Sequence, residues 1–197
     1  MSKQYFENNQ ELVSEPFYIT YYFHKHILKF KSDNGVFSKK AVDFGSSLLL
    51  KNVEVFENDR ILDVGCGIGI MGITLAKCNP STFVEMVDVN LRALDLARNN
   101  CLENNVQNTY VFESNTYSNI EKQYTLIISN PPIRAGKKVV HDICLNAINY
   151  LNDNGKAIFV IQKKQGAESL KKGMLEVYSN VEVLNKVNGY FIFQGTK

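Results

Sequence analysis

The 197-residue sequence predicts an α/β fold: a mostly parallel sheet of seven strands with helices on both faces, an antiparallel last strand and a small N-terminal β-hairpin cap. Three observations lead to this prediction. Strand-like and helix-like segments alternate from about Arg60 onward, as in a parallel sheet covered by helices. A glycine-rich turn follows the first of these strands. Two strand-forming segments near the carboxyl end are joined by Asn188-Gly189, a strong hairpin signal.

The alternating segments follow one another from Arg60. Short apolar runs indicate buried strands, and apolar residues at helical spacing indicate the helices between them. Asn90 is a suitable N-cap for the second helix, and Ile143, Ala147 and Tyr150 share one face of a later helix. The predicted elements are a strand from Arg60 to Val64, a helix from Gly69 to Cys78, strands from Phe83 to Val87, Tyr110 to Phe112 and Thr125 to Ile128, and a fifth strand after a turn at Asn154-Gly155.

The end of the chain predicts a reversed final strand. Val181 to Val187 and Tyr190 to Phe193 are rich in strand formers and flank the Asn188-Gly189 turn. The last strand should therefore run antiparallel to its neighbour. A dinucleotide-binding fold has parallel strands throughout, so this feature favours a different arrangement of the sheet.

Before Asp59 the pattern changes, and residues 1–55 are predicted to form a cap on a core of residues 56–197 within a single folded unit. Phe17 to Phe23 and His26 to Lys31 predict a β-hairpin, and Phe44 to Leu50 a short helix. His24 and His26 share one strand face. Two histidines without a third ligand make a poor metal site, so no metal is expected.

The composition is that of an ordinary globular protein, with 45% hydrophobic and 21% charged residues and a net charge of +2. The longest apolar runs have strand length and the first residues lack the apolar region of a signal peptide, so we expect a cytoplasmic protein without membrane contact. The four cysteines form no C-x-x-C pair, which argues against a zinc knuckle or a disulfide framework. The sequence makes no prediction of the oligomeric state.

A glycine-rich turn from Gly65 to Gly69 directly follows the first buried strand. Glycines let a ligand approach the backbone and the free N–H groups of the following helix. Residues 67–72 also match G-x-G-x-x-G, and Asp88 stands about 20 residues further on, as in an NAD site. Asp63, just before the first glycine, favours S-adenosylmethionine instead. So does Asn130-Pro131-Pro132, for which a dehydrogenase has no evident use.

Polar residues that follow the predicted strands are candidates to hold this cofactor. Asp88 can accept hydrogen bonds from both ribose hydroxyls, and its alternative role is to support the cap of the next helix. Asp63 would lie near the positively charged methionine end, which a carboxylate can hold directly or through water. Asn115, after the third strand, is a candidate contact to the adenine edge.

Asn130-Pro131-Pro132 follows the fourth strand and predicts the catalytic site. A planar exocyclic amine is a poor nucleophile because its lone pair is delocalised. If the Asn130 side-chain oxygen and the Pro131 carbonyl each accept one N–H, the nitrogen moves toward tetrahedral geometry with its lone pair aimed at the sulfonium methyl group. The prolines fix φ and remove competing donors. The alternative is a structural turn that only ends the strand.

Six short stretches of the sequence match one known family; they are Gly35 to Ser38, Asp43 to Gly45, Asp63 to Gly69, Val87 to Asn90, Ser114-Asn115 and Ser129 to Ile133. From Gly35 to its end, the chain resembles the bacterial small-subunit ribosomal RNA guanine-N2 methyltransferases and their compact single-domain relatives. The resemblance implies a Rossmann-like class I methyltransferase fold and S-adenosylmethionine as cofactor. It also implies ribosomal RNA or the small ribosomal subunit as partner.

By that resemblance, residues from separate stretches line one cofactor pocket, and Phe37 and Ser38 fold over it. The implied pocket residues are Asp63, Gly65, Cys66, Gly67, Gly69, Asp88, Val89, Asn115 and Asn130. Two features depart from the family. The larger members carry an additional methyltransferase-like N-terminal domain, where this chain has only the hairpin. Ile133 stands where adenine-N6 and glutamine methyltransferases usually have an aromatic residue that stacks on the target.

The substrate side of the site is predicted at Ile133, Arg134, Lys137 and Lys138, with the three basic residues contacting RNA phosphates. The predicted activity is methyl transfer to an exocyclic amino group, with guanine N2 of small-subunit ribosomal RNA as the leading target. The enzymatic alternatives are a methyltransferase that acts on adenine N6 or on a protein glutamine, and an NAD-dependent oxidoreductase. A non-catalytic RNA-binding or assembly factor is the alternative that is not an enzyme.

Overall fold

The computed structural model describes residues 13–37 and 41–197 of the chain. A seven-stranded sheet forms its centre, and a separate two-stranded hairpin packs on one of the layers that cover this sheet. The hairpin strands are β1 (Phe17–Phe23) and β2 (His26–Ser32). The sheet strands are β3 (Arg60–Val64), β4 (Phe83–Asp88), β5 (Thr109–Glu113), β6 (Tyr124–Ser129), β7 (Leu151–Gln162), β8 (Asn180–Val187) and β9 (Tyr190–Thr196). The α-helices are α1 (Phe44–Leu50), α2 (Ile70–Cys78), α3 (Leu91–Glu103), α4 (Lys137–Asn146) and α5 (Ala167–Val177).

The sheet strands lie in the order β5-β4-β3-β6-β7-β9-β8. Neighbours from β5 to β7 are parallel, whereas β9 runs antiparallel to both β7 and β8. The predicted α/β class, with its mostly parallel seven-stranded sheet, reversed last strand and N-terminal hairpin, is confirmed. The chain moves outward from β3 to β5 and then returns to β6 on the other side of β3. In open sheets of this kind, ligands bind at the carboxyl ends of the strands at such a switch point.

Both faces of the sheet are buried, because successive residues of a strand point to opposite sides. In β6, Leu126 and Ile128 belong to the layer that also contains α2, α3 and the hairpin, whereas Ile127 belongs to the layer with α4 and α5. The hairpin contributes Leu28 and Phe30, both fully buried, to the first layer. Burial on both sides fixes the register of β6 and therefore the position of the residues that follow it.

Asn100 of α3 and Asn104, the C-cap residue of this helix, bind the backbone of β2. Asn104 accepts a hydrogen bond from the Lys29 N–H at 2.9 Å and donates one to the Lys29 carbonyl at 2.8 Å. Asn100 makes the same pair of bonds with Lys31, at 2.7 and 3.1 Å. These side-chain amides stand in for a neighbouring strand and satisfy backbone groups of β2. They fasten the hairpin to the core, although the predicted division into a cap of residues 1–55 and a core of residues 56–197 stays a prediction.

The segment around Asn154 differs from its prediction. Asn154-Gly155 was predicted as a turn before the fifth strand, but β7 already begins at Leu151. Its pairing with β6 is irregular there, since Leu151 lies opposite Tyr124 and Lys156 lies opposite Leu126. Asn154 has a φ of 62°, so the left-handed residue that suggested a turn lies in a bulge within the strand.

The helix predicted around Ile143, Ala147 and Tyr150 is present in two parts, because α4 ends at Asn146 and a 3₁₀-helix continues through Tyr150. No element was predicted over α5. This helix follows Gly166, which has a left-handed conformation and offers no side chain as an N-cap. The usual start signal of a helix is therefore missing from its sequence. Within residues 13–37 and 41–197, no helix is both long and apolar enough to cross a bilayer.

Candidate active site

The turn after β3 contains three glycines with positive φ, at 73° for Gly65, 56° for Gly67 and 85° for Gly69. The Gly65 N–H donates to the Val87 carbonyl at 2.8 Å, which holds the turn against the end of β4. A Cβ atom added to Gly67 would meet nothing within 4 Å, whereas one on Gly69 would lie 3.3 Å from the Ala97 Cβ. Gly67 therefore borders open space in which a ligand can lie, and Gly69 allows close packing of the turn against α3.

Asp88, at the end of β4, binds the glycine turn and the next helix at once. Its Oδ2 accepts a hydrogen bond from the Gly67 N–H at 2.9 Å, and its Oδ1 accepts one from the Asn90 N–H at 2.9 Å. Burial raises the pKa of the Asp88 carboxyl, and these N–H donors oppose that rise. A carboxylate oxygen can accept more than one hydrogen bond. The predicted support of the helix cap is thus present, and both oxygens retain capacity for hydroxyl donors.

Asp63, in β3, has a buried oxygen that lacks a donor. Its Oδ2 accepts a hydrogen bond from the Gly72 N–H at 2.9 Å, while no described residue donates to its Oδ1. Burial raises the pKa of the Asp63 carboxyl to about 7; the Gly72 N–H opposes this effect and the charge of Asp88 adds to it. A buried carboxylate with one unsatisfied oxygen is costly, so the site suits a cationic or hydrogen-bonding ligand.

The side-chain amide of Asn130, directly after β6, is held in one orientation. Its Nδ2 donates to Asp43 Oδ2 at 2.9 Å and to Ser46 Oγ at 3.0 Å. An ionised carboxylate only accepts hydrogen bonds, so the atom that faces Asp43 must be the amide nitrogen. The Asn130 oxygen is consequently the group left to accept a hydrogen bond from a ligand.

Asp43 and Ser46 had no predicted role, although Asp43 belongs to a stretch that matched the family. Asp43 is the N-cap of α1 and accepts a hydrogen bond from the Ser46 N–H at 3.2 Å. An acidic residue just before a short apolar helix is a signal for such a cap. The contact with Asn130 joins residues 87 positions apart, so no local pattern could have indicated it.

The remaining cofactor residues lie around the same strand ends. Asn115 is exposed and follows β5, where the Ser114 N–H donates to the Asp88 carbonyl at 3.1 Å. Val89 is half-buried directly after Asp88. Cys66 is buried in the glycine turn, and burial raises the pKa of its thiol well above the ordinary value, so it remains a neutral packing group.

Phe37 and Ser38 were predicted to fold over the cofactor. Phe37 is partly exposed, and Ser38 lies outside the described residues. The segment before Phe37 is bound beside the cofactor strands, because Asn90 Nδ2 donates to the Gly35 carbonyl at 3.0 Å. The structure thus brings the segment that leads into Phe37 to the residues that follow Asp88.

The predicted substrate residues lie in the segment that leads from β6 into α4. Pro131 is buried, Ile133 is half-buried and packs on the core layer of α4 and α5, and the basic side chains are exposed. The exposed basic residues are Arg134, Lys137 and Lys138. Among the described residues, no group of three or more His, Cys, Asp or Glu side chains is arranged to hold a metal ion.

Strand pairing brings these parts together. β3 lies between β4 and β6, with Val64 opposite Val87 and Asp63 opposite Ile128. The glycine turn, Asp88 and Asn130 therefore extend from the carboxyl ends of three adjacent strands. At this point the chain matches the family described as the methyltransferase small domain, over residues 27–194. The chain belongs to the methyltransferase small domain family.

Known relatives support this assignment. The methyltransferase is 40% identical over 200 residues, and over the full length of both chains, to the uncharacterized protein YbxB of Bacillus subtilis. It is 35% identical to ribosomal RNA small subunit methyltransferase C of Vibrio vulnificus, over 88% of this chain and 51% of that protein. The chain thus spans about half the length of that relative.

A solved structure has the same fold. The T. thermophilus 16S rRNA N2 methyltransferase RsmC, in complex with AdoMet and guanosine, superposes with a TM-score of 0.81 over 96% of this chain and 52% of that chain. The two sequences are 22% identical, so this likeness concerns the fold. The superposition shows a Rossmann-like fold. The family makes the chain a methyltransferase that uses S-adenosylmethionine.

The residues present fit this cofactor. It carries a cationic amino acid end, a ribose and an adenine. The unsatisfied Asp63 Oδ1 suits the ammonium group, Asp88 retains capacity for hydroxyl donors, and open space beside Gly67 admits a ligand against the backbone.

The contact between Ser46 and Asn130 provides a first test of the site. We expect Ser46→Ala to lower kcat for methyl transfer by about threefold to tenfold, because it removes one of two acceptors of the Asn130 amide and a neutral hydrogen bond contributes about 0.5–1.5 kcal/mol. The Kd for S-adenosylmethionine, measured by isothermal titration calorimetry, should not change.

Ser47→Ala is the matched control, because Ser47 lies in the same helix but its hydroxyl binds the Tyr21 hydroxyl at 3.1 Å. This variant should keep kcat within about twofold of wild type. Equal losses in both variants would mean that a weakened α1, and not the orientation of Asn130, is responsible.

Proposed function

We propose that this methyltransferase transfers a methyl group to the N2 amino group of a guanine in small-subunit ribosomal RNA. The observation that carries the proposal is the orientation of Asn130, whose amide nitrogen is bound to Asp43 and Ser46. The oxygen is left for the substrate, so the target must donate hydrogen bonds. An amino group does so, whereas a carbonyl or a ring nitrogen without hydrogen does not.

Two acceptors side by side would activate the amine. The Asn130 oxygen and the Pro131 carbonyl each accept one N–H, which draws the nitrogen out of conjugation and aims its lone pair away from both. When bound, S-adenosylmethionine supplies an electrophilic methyl group on its sulfonium sulfur. Pro131 is buried and has a restricted φ, so its carbonyl is held in place before the substrate arrives.

The cofactor side of the site follows from the same geometry. Asp63 would bind the ammonium group, Asp88 the ribose hydroxyls and Asn115 the edge of the adenine. Gly65, Cys66 and Gly67 would form the wall beside the methionine portion. Gly69 would act by packing, and Val89, Phe37 and Ser38 would cover the adenosine. The assignments of Asp63, Asp88, Val89, Asn115 and the glycine turn are supported by their positions at or near the ends of β3, β4 and β5. Those of Phe37 and Ser38 rest on the resemblance to the family.

Two features favour a guanine in RNA as the target. Ile133 offers an aliphatic surface where an aromatic stacking residue would suit adenine N6 or glutamine. Three exposed basic residues follow Asn130 in the chain and can neutralise phosphates next to the target base; they are Arg134, Lys137 and Lys138. The relatives named as small-subunit methyltransferases and as a 16S rRNA N2 methyltransferase point to the same target. A ribosomal substrate would place the enzyme in the cytoplasm.

The proposal is tested by identifying the methylated product. The protein is incubated with isotopically labelled S-adenosylmethionine and with ribosomal RNA or small subunits that lack the modification, and the RNA is digested to nucleosides for mass spectrometry. We expect labelled N2-methylguanosine. Label in N6-methyladenosine or in protein would contradict the target. Cofactor binding without any label would contradict catalysis and favour an RNA-binding or assembly role.

A further inference from the structure

The hairpin exposes large apolar side chains on the face turned away from the core. This outer face consists of Tyr18, Thr20, Tyr22, Ile27, Lys29 and Lys31. Tyr18 is 63% exposed, Tyr22 is 72% exposed and Ile27 is 64% exposed, while the alternate residues are mostly buried in the core. The exposed aromatic rings are not needed for packing of the hairpin, so they are available to a partner.

The charged side chains of the hairpin are all basic. The sequence from Pro16 to Ser32 contains three lysines and two histidines and no acidic residue. Across the two strands, Tyr18 lies opposite Lys31 and Thr20 lies opposite Lys29. The outer face therefore carries two aromatic rings on β1 and two cationic side chains on the neighbouring β2. Aromatic rings beside cationic groups are the combination that binds a single-stranded nucleic acid.

The outer face is rigid and connected to the active site. Asn100 of α3 and its C-cap residue Asn104 bind the backbone of β2, and the lysine side chains take no part in these bonds. After β2, Asp33 lies 3.7 Å from the Arg92 guanidinium, and the Gly35 carbonyl accepts a hydrogen bond from Asn90. One end of the hairpin thus lies beside the segment that follows Asp88.

We propose that the outer face binds a single-stranded segment of the RNA substrate, with bases stacked on Tyr18 and Tyr22 and phosphates on Lys29 and Lys31. The inference rests on the proposed function, in which RNA carries the target guanine. The two tyrosines are four residues apart on one strand face, or about 13 Å. They would hold separate bases of one extended strand.

The test measures binding of a fluorescein-labelled single-stranded RNA of about 16 nucleotides, a length that covers a typical binding groove. The variants are Tyr18→Ala/Tyr22→Ala and Lys29→Ala/Lys31→Ala, compared by fluorescence anisotropy at several salt concentrations. The tyrosine variant should bind at least about tenfold more weakly with an unchanged salt dependence. The lysine variant should also lower the magnitude of the slope of log K against log salt by about 1.4, because each lost phosphate contact to a single strand contributes about 0.7.

The matched control is Tyr110→Ala/Lys172→Ala, which removes an exposed tyrosine and an exposed lysine elsewhere on the surface. It should bind RNA like wild type. Circular dichroism and the Kd for S-adenosylmethionine verify that all variants are folded. Wild-type RNA affinity in both hairpin variants would overturn the inference, as would a wild-type protein that does not bind the RNA.

The same variants separate this inference from the proposed function. Labelled N2-methylguanosine formed by the hairpin variants with wild-type KM for RNA would overturn the hairpin interaction and leave the proposed function intact. RNA binding that depends on the hairpin, without methylated RNA in any assay, would support the hairpin interaction and overturn the proposed function.

Discussion

Replacing Asn130 by alanine should lower kcat for methyl transfer by about 10²–10³-fold, while the Kd for S-adenosylmethionine changes by less than about tenfold. The alanine variant removes the oxygen that would accept a substrate N–H and leaves the polar residues Asp63 and Asp88 unchanged. The measurement is single-turnover transfer of label to RNA, with calorimetric titration of the cofactor in parallel.

Asn115→Ala is the control for this prediction, because Asn115 is assigned to the adenine and not to the substrate amine. It should weaken cofactor binding and retain most of kcat. A further variant, Asn130→Asp, keeps an acceptor but brings a second carboxylate to Asp43, which lies 2.9 Å from the present amide nitrogen. It should be as inactive as Asn130→Ala. An Asn130→Ala enzyme that loses cofactor affinity and activity together would mean that Asn130 binds the cofactor.

Asp63→Asn should weaken binding of S-adenosylmethionine by about tenfold to a hundredfold at pH 8, because a buried charge-assisted hydrogen bond to the ammonium is lost. The wild-type carboxyl has a pKa of about 7 in the free protein and must be ionised to pair with this group. Wild-type affinity should therefore fall about tenfold between pH 8 and pH 6, as a proton competes for Asp63. Asp63→Asn should lack this pH dependence, and titrations of both proteins at the two pH values test it.

Asp63→Asn weakens cofactor binding, but it should make the cofactor-free protein more stable relative to wild type as the pH rises. The folded pKa of about 7 lies above the ordinary carboxyl pKa of 3.8, so between these pH values the folded state holds a proton that the unfolded state has lost. Stability from Asp63 is thus greatest at low pH and is lost as the pH rises to about 7. Relative to wild type, the variant should gain on the order of 2 kcal/mol between pH 5 and pH 8. Urea denaturation of both proteins at pH 5 and pH 8 measures this change. If the difference in free energy of unfolding between variant and wild type were the same at both pH values, Asp63 would not be the group with the raised pKa.

Much of the fold could be predicted because its signals are local. Each of these signals lies within a few residues, and the residue types themselves indicate the local structure. Examples are the buried strand before Gly65, the glycine turn and the Asn188-Gly189 hairpin. Local signals also explain the errors. Asn154 has the left-handed conformation of a turn residue, but strand pairing continues past it and makes it a bulge. α5 begins at Ala167, and its N-cap position is Gly166, which has no side chain to cap the helix, so no start signal preceded it.

The part of the candidate site that could be predicted consists of residues at the ends of strands. Asp63, Asp88 and Asn130 follow or lie within buried strands, and parallel strands bring their carboxyl ends together. The partners that orient these residues were not predictable. Ser46 of α1 and the N-cap residue Asp43 bind Asn130. Asn104, the C-cap residue of α3, binds Lys29 of β2, 75 positions away in the chain. Such contacts depend on how layers pack, and a single sequence carries no local pattern for them.

A crystal structure of the protein with S-adenosylhomocysteine and guanosine would test the central claim most directly. We expect the guanine N2 to lie within hydrogen-bonding distance of the Asn130 oxygen and the Pro131 carbonyl. The Asn130 nitrogen should still bind Asp43 and Ser46, and Asp88 should contact the ribose of the cofactor. A guanine bound with N2 directed away from Asn130, or an Asn130 amide turned to present its nitrogen to the ligand, would show that the Asn130 oxygen does not accept a hydrogen bond from the target amine.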